Sequence, residues 1–431
     1  MKKRLFVASG QVPLQISRDS QGKLHIEPGA ELTTSGLGDF YNQFQTKWIG
    51  LTGLEEEENL ARKDVHKLES VMMQYRCVPV IAEQEDYKNF LHGFSRNTIW
   101  PLFHYFPQTA SYIDYEWDSY VRINRLYAEK ILQLADEGDI IWIHDFQLML
   151  LPQMIKEKLP GASIGFFIHV PFPSFEIFRL LPWREKILEG MLGADLVGFH
   201  TYDYVRHFLS AVRRLFGYDT VFNRISIGER TLKVDAFPKG INFSRFTEKA
   251  RQECERDRIA EKDHKSIPGV LHHKQDEKII LSIDKLNYTK GIPARLKAFE
   301  LFLEQYPEYL EKVSLFLLSP SFGESSPFYE ALKREVDELV GRINGNYGTI
   351  DWIPVRYLNR NYAVDELIDL YCRADIALSL PLRDGMNLVA KEFIASRHNN
   401  NGVLVLSEMT GASKELHEAI LVNPNNLGEI V

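Results

Sequence analysis

The chain reads as an α/β protein built from two doubly wound, parallel-sheet domains, and three observations predict this. Its 431 residues exceed the size at which one hydrophobic core usually keeps growing. Short, near-continuous apolar runs alternate with amphipathic helical stretches from end to end, the pattern of parallel strands covered on both faces. A strongly charged stretch, Arg251 to Lys274, separates two such series.

The first series opens at Arg4–Ala8, where Leu-Phe-Val-Ala follows a basic start. That apolar run is too short for a signal peptide and reads as a first strand. Further strands are expected at Asp139–His144, Ser163–His169 and Asp195–Phe199, and Phe237-Pro-Lys-Gly-Ile-Asn-Phe243 closes the series. The boundary is therefore expected near residue 240, giving domains 1–240 and 241–431. The second series supplies strands at Lys278–Ile283, Val313–Leu318, Ile376–Leu380 and Val403–Leu406. A sheet with helices on both faces normally carries another helix or two after such a strand, so the second domain is expected to be truncated at its C-terminus. Two domains of this kind bind ligands in a cleft at the carboxyl ends of their strands.

Composition narrows the partners. A net charge of -8 without a basic block argues against nucleic acid. Cys77, Cys254 and Cys372 are far apart and odd in number, which suits a reducing compartment and no disulfide framework. No run of about 18 apolar residues is present, so no membrane partner is expected and the cytoplasm is the expected location.

Three segments carry candidate chemistry. Pro381-Leu-Arg-Asp-Gly-Met-Asn-Leu-Val-Ala-Lys-Glu392 follows an apolar strand and leads into a helix, which places free N–H groups where an anion can meet them. Glu392 stands one turn beyond Leu388, so its carboxylate can reach back towards whatever that N-terminus holds. A sugar nucleotide would satisfy both features; a strand–turn–helix with a charged cap would look the same. In the second segment, Lys285 and Lys290 lie on one strand-to-helix loop before Gly291, where two cations can clamp a diphosphate. The third comprises His144-Asp145 and His169, polar groups at the ends of two strands of the first series. Their spacing is not that of a metal site, and no metal or cofactor is expected.

Several stretches together resemble the trehalose-6-phosphate synthase family. They are Trp100-Pro-Leu-Phe-His-Tyr105, His144-Asp-Phe-Gln-Leu148, Phe166 to Pro173, Lys290-Gly291, Gly341 to Gly348 and Asp384 to Glu392. The resemblance covers essentially the whole chain in order. It implies a GT-B fold and a retaining transfer of glucose from a nucleotide sugar, UDP-glucose or similar, to glucose 6-phosphate without a metal. By the same resemblance, Lys290, Asp384 and the amides of Gly385, Met386, Asn387, Leu388 and Val389 hold the donor diphosphate and glucose. Lys285 completes the donor clamp, Glu392 binds the donor ribose, and His169 contacts the transferring sugar. Trp100 and Asp145 contact the acceptor, with Gln11 at a further acceptor position. A homo-oligomer, or a phosphatase domain fused in a longer protein, would fit the family. The physical logic agrees: fixed cations and a helix N-terminus stabilise a diphosphate leaving group, so two carboxylates flanking the sugar are not required.

The sequence departs from the family at identifiable places. Gln11 replaces an arginine that grips the acceptor phosphate, and Phe322 stands where a second arginine is expected. Glu31-Leu32 replaces a paired-glycine loop, Leu91 a tyrosine, Leu51 a tryptophan, and Lys285 the arginine of the donor clamp. Losing cations from a phosphate site is costly. Two alternatives therefore stand beside the synthase reading: a related transferase with a different acceptor, and a catalytically inactive nucleotide-sugar-binding paralogue with a regulatory role.

Overall fold

The computed structural model describes residues 3–18, 24–29, 38–53, 62–262, 277–320 and 327–431. The chain divides into two compact units, Met1–Pro238 and Lys239–Val431.

In the first unit the strands are β1 (Arg4–Gln11), β4 (Gln45–Leu51), β5 (Cys77–Val80), β6 (Ile140–His144), β7 (Ser163–Phe167) and β8 (Leu196–Phe199). They are joined by β9 (Thr220–Val221), β10 (Arg224–Ile227) and β11 (Arg230–Ala236), while β2 (Leu14–Arg18) and β3 (Leu24–Pro28) form a separate antiparallel hairpin. Among the described residues the main sheet runs β5-β4-β1-β6-β7-β8-β11-β10-β9. It is parallel from β5 to β11 and antiparallel beyond. Its first six strands follow the doubly wound order, in which the sheet grows one way from β1 and then reverses to grow the other way from β6. The central strands are apolar because helices cover both faces: Val7, Ile49, Ile141, Ile143 and Val197 are fully buried.

In the second unit β12 (Lys278–Ile283), β13 (Val313–Leu318), β14 (Val355–Leu358), β15 (Ile376–Ser379), β16 (Val403–Ser407) and β17 (Ile420–Val422) form an all-parallel sheet. Its order, β14-β13-β12-β15-β16-β17, is the same doubly wound pattern, reversing between β12 and β15. All six residues of β13 are buried, as expected of an inner strand.

The eight expected strands all form, with shifts at their ends. β1 runs on to Gln11 through a register shift after Ala8. β7 stops at Phe167, so His169 lies beyond the strand, and the Ile168 N–H bonds Gly198 O instead. The strands not foreseen are mostly short edges. β5 contains Pro79, which an edge tolerates, and β9–β11 form an antiparallel extension with alternating burial. No described helix is long and apolar enough to cross a membrane.

Candidate functional site

In the second unit the groups singled out by sequence gather at the reversal of the sheet. The loop after β12 passes through a short 3-10 turn, Tyr288–Lys290, and enters the helix Ile292–Gln305 at Gly291. Gly291 has φ +65°, and a Cβ there would stand 2.9 Å from Leu380 O, so only glycine lets this loop lie against the end of β15. The N–H groups of Leu382 and Arg383 both bond Thr289 O, at 2.8 and 3.2 Å, which stitches the two loops together. Lys290 Nζ then reaches Asp384 Oδ2 at 3.0 Å, with side chains 17% and 15% exposed. Desolvation pulls the Lys290 ammonium down, but the carboxylates of Asp384 and Asp284 outweigh it and hold its pKa above the ordinary lysine value. Lys290 is thus a fixed, half-buried cation.

The helix Leu388–Ser396 begins just beyond. Its cap is Asn387, whose side chain accepts from Ala390 N–H at 2.9 Å and donates to Asp384 Oδ2 at 3.3 Å. The amides of Leu388 and Val389 are the first two of the helix and have no acceptor within it. One turn on, Glu392 accepts from the Tyr371 hydroxyl at 2.8 Å, and burial pushes its carboxyl above the usual range despite that bond. Gly385 and Met386 are buried in the turn, and Lys285 is exposed. Cation, open helix end and carboxylate are together suited to an anion carrying hydroxyl groups.

In the first unit the corresponding reversal lies between β1 and β6. Asp145, directly after β6, has φ 74° and ψ 168°, a conformation nearly reserved for glycine. Its N–H bonds Phe167 O at 2.7 Å, while its Oδ1 accepts from Phe146 N–H at 3.0 Å and His169 N–H at 3.2 Å. The strained carboxylate therefore locks the ends of β6 and β7 to each other. His144 Nδ1 lies 3.0 Å from His169 Nε2 with the rings stacked, and the buried His200 ring stands 5.5 Å from that of His169. Trp100 follows a wide π-helix, Asn89–Ile99; it stacks on His104 at 4.0 Å and contacts Phe146 at 6.0 Å between ring centres. Such wide helical turns recur at functional sites. Gln11, at the end of β1, is exposed and donates to the Tyr87 hydroxyl at 3.2 Å. β4 approaches this loop so closely that a Cβ on Gly50 would fall 2.7 Å from the Gln11 carbonyl carbon.

The structure thus brings Lys290, Asp384, Asn387, Leu388, Val389 and Glu392 into one site. Asp145, His169 and Trp100 lie around the end of β6, with Gln11 on the neighbouring β1 loop. Glu31-Leu32 and Phe322 lie outside the described residues. Leu51 and Leu91 serve the core.

The residues that hold the first-unit loops in place were missed from sequence. Tyr120, Asn124 and Tyr127 lie on one face of the helix Asp114–Leu132 and are fully buried. The Tyr120 hydroxyl donates to Phe146 O at 2.7 Å and accepts from Met149 N–H at 3.1 Å, and Asn124 Nδ2 donates to Gln147 O at 3.0 Å. The Tyr127 hydroxyl accepts from Leu51 N–H and is shared between Ser9 O and Gly10 O, all at 2.9 Å. Polar groups at i, i+4 and i+7 on an otherwise apolar helix face were the available signal. In the second unit the missed residue is Arg295.

Comparison with known proteins identifies the family and the fold. The sequence profile of glycosyltransferase family 20 matches residues 3–431. The chain is 40% identical over 427 residues to the UDP-forming α,α-trehalose-phosphate synthase A of Dictyostelium discoideum, covering 99% of this chain but 56% of that one. It is 39% identical over 431 residues to the UDP-forming synthase 1 of Aspergillus fumigatus, covering 82% of that protein. Among solved structures, a UDP-forming synthase from Burkholderia vietnamiensis superimposes with TM-score 0.82 at 30% identity, covering all of this chain and 88% of that one. The N-terminal domain of a Candida albicans trehalose-6-phosphate phosphatase gives TM-score 0.83 at 31% identity, again over the whole chain and 88% of its own.

Proposed function

The chain belongs to glycosyltransferase family 20, with the GT-B fold, and from that premise we propose that it moves glucose, with retention, from UDP-glucose to glucose 6-phosphate. The products are trehalose 6-phosphate and UDP. The observation that carries this reading is the Lys290–Asp384 pair beside the open end of the helix Leu388–Ser396, at the reversal of the second sheet.

In this reading Lys290, Lys285 and the amides of Gly385 to Val389 bind the donor diphosphate, and Glu392 takes the ribose hydroxyls. Asp384, fixed by Lys290 and Asn387, accepts from hydroxyls of the donor glucose. His169 contacts the transferring sugar, and Asp145, Trp100 and Gln11 belong to the acceptor side. As the donor C1–oxygen bond breaks, the leaving diphosphate gains negative charge, which Lys290 and the helix end stabilise without reorganising. The acceptor oxygen bonds C1 and its proton passes to the diphosphate oxygen that leaves, so atoms and charge balance without metal, cofactor or flanking carboxylate pair. Relatives that carry both activities in one chain, such as the bifunctional synthase/phosphatase of Thermoproteus tenax, support a phosphatase as the companion activity. The proposed location is the cytoplasm.

Calorimetry with UDP, GDP and ADP, followed by a product assay with UDP-glucose and glucose 6-phosphate in the presence of a chelator, tests the proposal. UDP binding together with trehalose 6-phosphate formation is expected; absence of nucleotide binding overturns it. A specific observation favours one second reading. Gln11 is neutral, exposed and engaged with Tyr87, so the position offers no charge to a phosphate. A transferase using an unphosphorylated acceptor would release UDP only with such a sugar or polyol.

A further inference from the structure

Arg295 occupies a position that general rules disfavour twice. Its side chain is completely buried, and it lies in the first turn of the helix Ile292–Gln305, where the helix dipole opposes a cation. A buried arginine persists only when its charge is paired. Among the described residues, its guanidinium partners all belong to the donor loop or the strand that feeds it. Nη2 lies 2.8 Å from Asp284 Oδ2 and 2.9 Å from the backbone oxygen of Lys290, and Nη1 bonds Ser282 Oγ. Asp284 is the first residue after β12 and Lys290 the last before Gly291, so one guanidinium ties both ends of the loop from beneath.

The tie reaches the site through charge as well as shape. Arg295, Asp284, Lys290 and Asp384 alternate in sign, with Asp284 attracting both cations and Asp384 pairing with Lys290 at 3.0 Å. The Lys290 carbonyl held by Arg295 also fixes the peptide leading into Gly291, whose left-handed conformation turns the chain into the helix. An arginine needed only to fill the core would have no reason to seek these acceptors, since an apolar side chain of similar size would fill the space without desolvating a charge.

We propose that Arg295 is a positioning residue for Lys290: it holds the loop Asp284–Lys290 in the shape that presents the Lys290 ammonium to the donor diphosphate, and it affects donor binding only through that lysine. The inference rests on the donor-site reading above.

The test is a double-mutant cycle read by UDP calorimetry on the full chain, using the parent, Arg295→Lys, Lys290→Ala and the double variant. UDP is carried to millimolar concentration so that the weak binding retained by the helix amides in Lys290→Ala is still measured. Arg295→Lys keeps a cation but loses the fork that spans Asp284, Ser282 and the Lys290 carbonyl. It is expected to weaken UDP binding about tenfold in the parent and less than about twofold when Lys290 is already alanine. Unchanged affinity in the parent background, or the same loss in both backgrounds, overturns the inference while leaving the donor site standing. A parent that binds none of UDP, GDP and ADP overturns the donor reading itself, and this inference with it. Should Arg295→Lys not fold, Ser282→Ala removes one acceptor and leaves the ion pair. It is judged by the same criteria, with an expected loss of about threefold in the parent and none in Lys290→Ala.

Discussion

Replacing Asp145 by Asn, Gly and Ala separates backbone strain, hydrogen bonding and charge at one residue. Its φ of 74° and ψ of 168° lie where a side chain costs about 1–3 kcal/mol and glycine nothing. Against that cost, its carboxylate accepts from the N–H groups of Phe146 and His169 at 3.0 and 3.2 Å. Each such bond to a charged group contributes about 1–2 kcal/mol when half-buried, discounted from the value for full burial. Ala keeps the strain and loses both bonds, so it should lower unfolding free energy by about 2–4 kcal/mol. Gly loses the same bonds but escapes the strain, and should exceed Ala by about 1–3 kcal/mol. Asn keeps an acceptor oxygen and tolerates positive φ better than most residues, so it should fall within about 1 kcal/mol of the parent. Urea denaturation with a constant slope gives these differences directly. If the carboxylate serves the acceptor, trehalose 6-phosphate formation should fall in all three variants, Asn included, although the fold of Asn is intact. Ala and Gly variants of equal stability would refute the strain argument, and full activity in Asn would remove the charge from the acceptor site.

Lys290→Ala should weaken UDP binding by about 1.5–3 kcal/mol, the range for a charge-assisted contact, and unchanged calorimetric affinity would remove Lys290 from the site. Glu392 has a carboxyl raised by burial, so the folded chain holds its proton at pH values where the unfolded chain has lost it. Stability should therefore fall as pH rises from the ordinary glutamate range through the raised value, and Glu392→Gln should flatten that slope and gain stability above it; parallel pH profiles of the thermal midpoint would contradict this. Gln11→Arg should tighten glucose 6-phosphate binding by about 1.5–3 kcal/mol if a phosphate lies beside it, whereas no gain would favour the unphosphorylated acceptor.

What the sequence disclosed, and what it hid, follows from where each residue sits in the two sheets. The strands legible as apolar runs, such as Val313–Leu318, are inner strands covered on both faces. Those that escaped notice are largely edges, where Pro79 in β5 and Arg356 in β14 are tolerated because one side of the strand is free. Lys290, Asp384 and Glu392 stand out in the sequence because their positions follow from local context, a loop after a strand and the first turns of a helix. The pairing of Lys290 with Asp384 spans 94 residues, and no local pattern could have announced it. The same holds for His144 and His169, 25 residues apart, and for Tyr127, which reaches 117 residues back to Gly10. Only the doubly wound order makes these meetings necessary. When a sheet grows outward from one strand and then reverses, the loop after its first strand must lie beside the loop after its fourth. That rule sets the Gln11 loop next to Asp145 in the first unit and the Lys290 loop next to Asp384 in the second. The second loop pair carries cation, carboxylate and helix end, whereas the first carries a strained aspartate and a neutral glutamine. Under the proposed donor and acceptor assignments, charge for the donor is supplied at the fold's own reversal point. Charge for an acceptor phosphate is lacking at Gln11, and this asymmetry makes the acceptor, more than the donor, the substrate on which this chain can differ from its relatives.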